Sequence, residues 1–388
     1  MPKKKKIAFV ANCCIVGGVE TALINLLNTI DTEKYDVTLY TNFAGNPVVK
    51  NIPDYVKCVN LDEYNIKNVY NRSLKERNYL LALSVIWNYI RFIIARDEFN
   101  KTEWLYKHIA FCDTEYDIVI AYKWGPSTTA IAKKLVKRNR AILWIHGELP
   151  MFRRTYELNL FMFDKCFCTS EYIKTYFSQR CPSLKDKTDI FHNILDAEAI
   201  SKKAQEPVND IDTNRKYVLV TVGRLGQDKG QTVIPETARL LADAGIDFVW
   251  YLVGDGPTRD AVEHGIRAYN MEDHVYLLGT KENPYPYIKA CTIYVQTSTS
   301  EGWCLTTQEA RILRKPCIVT NIPVMHEQFV DGENGIIAKG TDADSLYHGI
   351  MRLIESDELR NRIIDNLSTK PQDGANEIQK LYDYIEGK

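Results

Sequence analysis

Two glutamates, Glu301 and Glu309, bracket the segment Glu301-Gly302-Trp303-Cys304-Leu305-Thr306-Thr307-Gln308-Glu309, which follows an apolar run and leads into a helical one. The first carboxylate sits in a loop and the second about one turn into the helix. The loop between them can point backbone N–H groups at an anion, and the helix N-terminus adds partial positive charge. A carboxylate inside the helix can accept from two adjacent hydroxyls, as on a ribose. The spacing alone also fits a solvated loop beside a surface helix. A second segment, Val222-Gly223-Arg224-Leu225-Gly226-Gln227-Asp228-Lys229-Gly230, ends another apolar run. Arg224 can grip phosphate oxygens as a planar fork and Lys229 adds a point charge. Gly-Lys-Ser/Thr is missing, so this is not the nucleotide P-loop. Gly254-Asp255-Gly256-Pro257 reads as a tight turn. Gly17-Gly18 turns the chain between its first strand and a helix, but without G-x-G-x-x-G, which argues against a nicotinamide dehydrogenase. His146 ends a strand, where a lone histidine also fits a structural role.

The elements that must position these residues alternate. Ile7–Val10, Val37–Tyr40, Asp117–Ala121, Ala141–Ile145 and Cys166–Thr169 read as strands, with helices after Gly18 and over Ser127–Val136. After the polar stretch 196–214 the rhythm restarts, with strands at Tyr217–Val222, Phe248–Val253, Val275–Leu278, Ile293–Gln296 and Cys317–Thr320. Apolar strands in a β-α-β-α order mean parallel sheets covered on both faces. The expectation is α/β: two Rossmann-like doubly wound domains facing across a cleft, over 1–195 and 215–375, joined by a linker at 196–214. The last helix, within 376–388, is expected to cross back to the first domain through an apolar stripe of Ile378, Leu381 and Ile385.

Composition narrows the class. Hydrophobic residues at 45% and charged residues at 26% exclude a disordered chain, and no apolar run reaches the length of a spanning helix. The lysines before Ile7 mimic a signal peptide, but the apolar run breaks off at Asn12 without a cleavage site. Ten cysteines without a CxxC pair read as reduced thiols in a cytoplasmic protein. Residues 1–195 hold 28 Lys and Arg against 20 Asp and Glu, a net +8, and the rest carries −9. That asymmetry hints that the first half meets an anionic surface.

Taken together, these segments resemble the retaining glycosyltransferases of the GT-B fold, specifically glycosyltransferase family 4. The resemblance spans nearly the whole chain and is densest from Tyr217 to Ala338. It includes Gly223-Arg224-Leu225, Lys229-Gly230, Gly254-Asp255-Gly256-Pro257, the Glu301/Glu309 segment and Lys315-Pro316-Cys317-Ile318-Val319. It continues through Glu327 before Asp331-Gly332-Glu333-Asn334-Gly335, and in the first half it rests on Gly17-Gly18-Val19-Glu20 and His146. The resemblance implies that Arg224 and Lys229 hold a donor diphosphate and that Glu309 binds the ribose. Glu301 would contact the donor sugar, Gly17-Gly18 would close over the phosphates and His146 would touch the transferred sugar. Gly254, Gly302, Trp303, Cys304 and Leu305 complete the implied donor site, with base recognition by backbone near Gly279-Thr280-Lys281. Two departures stand out. Trp303-Cys304-Leu305-Thr306 replaces the family's Phe-Gly-Leu-Pro, which adds a side chain beside the phosphate, and Val324-Met325 occupies the place of a glycine pair.

The implied reaction is transfer of a sugar from a nucleotide-diphosphate sugar, UDP favoured over GDP, to a lipid-linked or glycan acceptor. No cofactor or metal is implied, because Arg224 and Lys229 would take the role of a divalent ion and no Asp-x-Asp stands at a strand end. Nucleic acid is not an expected partner. A nucleotide-sugar 2-epimerase and a non-catalytic partner subunit remain open alternatives. Leu80–Ala95 is unusually apolar, with Arg72, Lys75, Arg77, Arg91 and Arg96 in or around it, and a second basic cluster comprises Lys133, Lys134, Lys137, Arg138 and Arg140. The 80–95 run fits either a buried core helix or a helix lying on an anionic membrane surface. The second reading makes the protein a peripheral one on the inner face of the membrane.

Overall fold

The computed structural model describes residues 3–12, 17–43, 47–94, 114–135, 140–148, 160, 162–368 and 374–387. The chain divides into two compact units, Met1–Asn193 with Asn376–Lys388, and Ile194–Ala375. The first carries a sheet of β1 (Lys5–Val10), β2 (Tyr35–Thr41), β3 (Lys57–Asn60), β4 (Ile118–Ala121), β5 (Arg140–Ile145), β6 (Lys165–Cys168) and β7 (Thr188–Ile190). Its order is β3-β2-β1-β4-β5-β6-β7, parallel throughout. Ile7–Val10 and Ile118–Ala121 are wholly buried, which is why they read as unbroken apolar runs rather than alternating ones. The outer strands β3 and β7 escape the sequence reading. They are short, half-polar and at sheet edges, where one side needs no burial.

The second unit carries β8 (Tyr217–Val222), β9 (Phe248–Val253), β10 (Val275–Gly279), β11 (Ile293–Gln296), β12 (Cys317–Val319) and β13 (Ile336–Ile337) in the order β10-β9-β8-β11-β12-β13. Two residues make β13, too few for any periodicity. In each sheet the direction of winding reverses once, between β1 and β4 and between β8 and β11. Open parallel sheets bind ligands beyond the carboxyl ends of strands at that point.

Several local features bear on these expectations. The stretch 196–214 opens with a helix, Ala197–Lys203, whose N-cap Asp196 accepts from Ala199 N at 2.8 Å. Ile200 and Ala204 are buried, but two apolar side chains among lysines and glutamates read as polar linker. The last helix, Ile378–Glu386, belongs to the first unit, with Leu381 and Ile385 wholly buried. Arg140, counted above in the second basic cluster, donates to Tyr384 O and Ile385 O of this helix at 2.5 and 2.7 Å. Lys137 and Arg138 of that cluster lie outside the described residues. Helix Tyr79–Ile94 is not a core helix: it buries only Ala82, Val85 and Asn88. Among the described residues no helix is long and apolar enough to cross a membrane. The seven described cysteines are free thiols.

Candidate functional site

The loops leaving β8 and β11 run side by side at the reversal of the second sheet, because these strands are hydrogen-bonded neighbours. Thr299 N and Ser300 N donate to Asp228 O at 2.9 and 3.2 Å, and Thr297 Oγ1 donates to Lys229 O at 2.7 Å. Gly230 lies at φ +65°, where a Cβ would stand 2.2 Å from Thr297 O, so a side chain there would force the loops apart. Across this junction Lys229 Nζ donates to Glu301 Oε1 at 2.5 Å, and Ser298 Oγ donates to the same oxygen at 2.7 Å. Burial opposes the ammonium charge, but the Glu301 carboxylate outweighs it and holds Lys229 above the usual lysine value. Arg224 is half-exposed and donates to Asp228 Oδ1 at 2.7 Å. Its guanidinium is thus paired within its own loop. Such exposed pairs are weak, and a phosphate dianion can compete for the guanidinium.

Two further layers fix the Arg224 loop. Gln231, which the sequence reading missed, is buried inside it, donating from Nε2 to Arg224 O at 3.0 Å and accepting at Oε1 from Gly226 N at 3.3 Å. The turn after β9 packs from the other side. Leu225 N donates to Asp255 O at 3.0 Å, and a Cβ on Gly254 (φ +141°) would come within 2.0 Å of Gly223 O. Gly254 N in turn donates to Gly279 O at 2.9 Å. Gly254 and Gly279 thus act first on the shape of the neighbouring loop.

Glu309 lies one turn into helix Leu305–Ile312 and is buried. Its carboxylate accepts from Tyr285 OH at 3.5 Å, and burial raises its carboxyl to about 7. Cys304 caps this helix in the left-handed region, φ +46°, ψ 83°, without a side-chain bond to the first-turn amides. Those amides lack intrahelical partners and suit an anion. The loop thus follows a path that glycine would adopt freely, with the Cys304 side chain buried and Sγ 3.5 Å from Thr306 Oγ1. Burial pushes its thiol up to about 12. Trp303 and Leu305 are also buried and anchor the loop, with Gly302 partly covered between Glu301 and Trp303. Gln328, likewise missed, donates from Nε2 to Trp303 O and lies 2.9 Å from Thr307 Oγ1.

In the first unit, Gly17 and Gly18 start helix Gly18–Asn28, and Thr21 N donates to Gly17 O at 3.0 Å. Residues 13–16 lie outside the described ones. Glu20 is buried in the first turn and pairs with Lys123, after β4, at 3.4 Å. A Lys–Glu pair therefore spans the reversal in this sheet too. Lys123 carried no sequence signal beyond its place after an apolar strand. His146, after β5, places Nε2 2.7 Å from Tyr122 O. A carbonyl only accepts, so Nε2 carries the proton and Nδ1 remains an acceptor. Burial lowers the imidazole to about 4, the Tyr122 bond opposing and the Lys123 charge assisting. His146 is thus neutral at pH 7. Among the described residues no group of three or more His, Cys, Asp or Glu could hold a metal ion.

The two parallel-stranded Rossmann-like units are those of the GT-B fold. The chain superposes on the Anabaena protein HepE, solved with UDP and glucose, with a TM-score of 0.72 at 18% identity, covering 99% of this chain and 100% of that one. Residues 201–369 match the family model of glycosyl transferases group 1. An N-acetylgalactosamine-N,N'-diacetylbacillosaminyl-diphospho-undecaprenol 4-alpha-N-acetylgalactosaminyltransferase of Campylobacter jejuni is 29% identical over 47% of this chain and 49% of its own. The chain spans about half the length of several curated relatives it matches, that one included. An Escherichia coli UDP-Gal:alpha-D-GlcNAc-diphosphoundecaprenol alpha-1,3-galactosyltransferase is 23% identical over 97% of this chain and 95% of its own.

Proposed function

We propose that this protein is a retaining glycosyltransferase of family 4 that transfers a sugar from a UDP-sugar to a lipid-linked acceptor of a surface polysaccharide. The observation that carries the reading is the junction at the β8/β11 reversal. There a half-buried lysine held on Glu301 and an arginine of the same loop lie beside the loop that leads into a helix N-terminus without a side-chain cap, with Glu309 one turn into that helix. The chemical difficulty is departure of a diphosphate while an oxocarbenium-like centre forms, and fixed donors aimed at the leaving group meet it. Lys229, Arg224 and the amides from Cys304 onward bind that diphosphate. Glu309 accepts from the ribose hydroxyls, and Glu301, already positioned by Lys229 and Ser298, accepts from a hydroxyl of the sugar. In the first unit His146 Nδ1, kept unprotonated, can accept from a hydroxyl. On the retaining course the departing phosphate oxygen takes the acceptor's proton on the same face, so no protein nucleophile is required. The names of the Campylobacter and Escherichia coli relatives support a polyprenyl-diphosphate acceptor and, for the latter, a UDP-sugar donor.

The test is a thermal-shift screen of UDP- and GDP-sugars followed by turnover with the donor that binds. A ligand at about 100 times its Kd adds about 2.7 kcal/mol of stability, which is readily seen. Release of UDP with the sugar transferred in the α-configuration from an α-linked donor supports the proposal. A free 2-epimerised sugar, or no turnover with any donor in the presence of lipid-diphosphate acceptors, refutes it.

A further inference from the structure

Helix Tyr79–Ile94 turns its broader apolar face away from the protein. Leu80 is 82% exposed, Leu83 64%, Trp87 56% and Ile94 71%, and with Ile90 these recur at alternating spacings of three and four along one side of the helix. The opposite, narrower side holds the buried Ala82, Val85 and Asn88. The helix is fixed at its start rather than loosely attached. Arg77, at φ +57°, ends the preceding helix Ile66–Lys75; Asn78 N donates to Ser73 O at 2.8 Å, and Asn78 Oδ1 accepts from Leu81 N at 3.1 Å. These are a left-handed helix stop and an N-cap back to back. Contiguous apolar surface on that scale marks an interaction site.

Charge selects the occupant. Residues 66–94 contain Lys67, Arg72, Lys75, Arg77 and Arg91 against one acid, Glu76. The Arg91 guanidinium lies over the Trp87 ring at 5.3 Å, so a cation stands at the edge of the apolar stripe. A second copy of the same face would meet these cations with its own, whereas an anionic lipid surface complements them. Sixteen residues span about 24 Å at 1.5 Å each, short of a bilayer core, but the combination of apolar stripe, Trp and flanking cations suits a helix lying in the plane of the headgroups.

We propose that helix Tyr79–Ile94 docks the first unit on an anionic membrane, with the Leu80, Leu83, Trp87, Ile90 and Ile94 stripe in the acyl boundary and Arg72, Lys75 and Arg77 at the phosphates. The inference stands apart from the sugar-transfer reading, since nothing in it depends on a nucleotide. The test is co-sedimentation of the full chain with phosphatidylglycerol/phosphatidylcholine vesicles and with phosphatidylcholine alone, at low and high salt. The expected result is binding to the anionic vesicles that weakens with salt. It should fall at least about tenfold in Leu83→Glu/Trp87→Glu and in Arg72→Glu/Lys75→Glu. Both double variants alter exposed positions and should keep the parent melting temperature and UDP affinity. Protein that stays in the supernatant with anionic vesicles at low salt overturns the proposal. So does equal binding to both vesicle types, or a dimer that Leu83→Glu/Trp87→Glu dissociates while vesicle binding is absent. Loss of UDP binding with vesicle binding intact would strike the proposed transferase activity alone.

Discussion

Lys229 and Arg224 bring positive charge to the same loop in different settings: Lys229 is half-buried and paired with Glu301, while Arg224 is more exposed and held by Asp228. If they bind the donor as proposed, truncating either leaves part of its diphosphate unopposed. Arg224→Ala and Lys229→Ala should each lower kcat/KM by about 10²-fold, the cost of removing one preorganised donor. Lys229→Ala should also lower stability, since it leaves the buried Glu301 carboxylate without its cation. Near-wild-type turnover in both folded variants would remove them from the donor site. Glu309 gives a prediction with a pH signature. Its folded-state carboxyl stands near 7 against an ordinary value of 4.5 because burial disfavours its charge. A group raised in this way contributes stability that is complete below pH 4.5 and lost as the pH rises through 7, on the order of 3 kcal/mol in all. Thermal denaturation of the free protein should therefore show a decline between pH 4.5 and 7 that Glu309→Gln abolishes. UDP should reduce that decline, because ribose hydroxyls donate to the ionised form. Parallel pH profiles for the two proteins would contradict the burial argument.

At the scale of elements, the site depends on loops that brace one another more than on the helices and strands that bear them. Gly254→Ala tests this directly. The new Cβ would stand 2.0 Å from Gly223 O in a backbone conformation that side chains rarely adopt, so the turn after β9 and the Arg224 loop must separate. The expected outcome is a destabilisation of about 1–3 kcal/mol and a UDP affinity reduced by tenfold or more, read by denaturation and calorimetry. Retained affinity would mean that the turn does not shape the loop. This bracing also explains what the sequence could disclose. Arg224, Lys229, Glu301 and Glu309 stood out in the sequence as charged groups at the ends of apolar runs and at a helix start, but their spacing alone also fitted solvated loops, and only the ordered set of motifs assigned them roles. The buried strands were legible because both faces are covered and the apolar run is continuous. Gln231 and Gln328 were not, because their task is hydrogen bonding to loop backbone, of its own loop for Gln231 and of the Trp303 loop 25 residues away for Gln328, and a buried glutamine has the same one-letter signature as an exposed one. Helix Tyr79–Ile94 was ambiguous for a different reason. It is apolar on nearly every side, so periodicity could not say which face the protein would leave uncovered.

At the scale of the whole molecule, the chain leaves the first unit at Asn193, builds the second, and returns to the first for its final helix. That return is held by more than apolar contact. Leu381 and Ile385 are wholly buried, Tyr382 stacks on Tyr35 with ring centroids 5.0 Å apart, and Tyr382 OH accepts from Asp31 N at 2.7 Å. Arg140 satisfies carbonyls at the end of the helix and stacks over the Tyr384 ring at 4.9 Å, while Lys5 Nζ donates to Ile385 O at 3.0 Å. The helix thus closes over the starts of β1, β2 and β5, with partners 244 to 380 positions away in sequence. Leu381→Ala should cost about 2–5 kcal/mol through the cavity it leaves. A chain ending at Gly374 should lose more, because it also strands Arg140 and the cleared faces of three strands. The loss is expected to be unequal. Differential scanning calorimetry of the truncated chain should show the first unit melting early or already unfolded, while UDP still stabilises the second, whose β8/β11 junction keeps every contact described above. Unchanged melting of both units would show that the returning helix adds nothing to the first. Loss of UDP binding together with first-unit stability would show instead that the donor site requires the first unit to be folded.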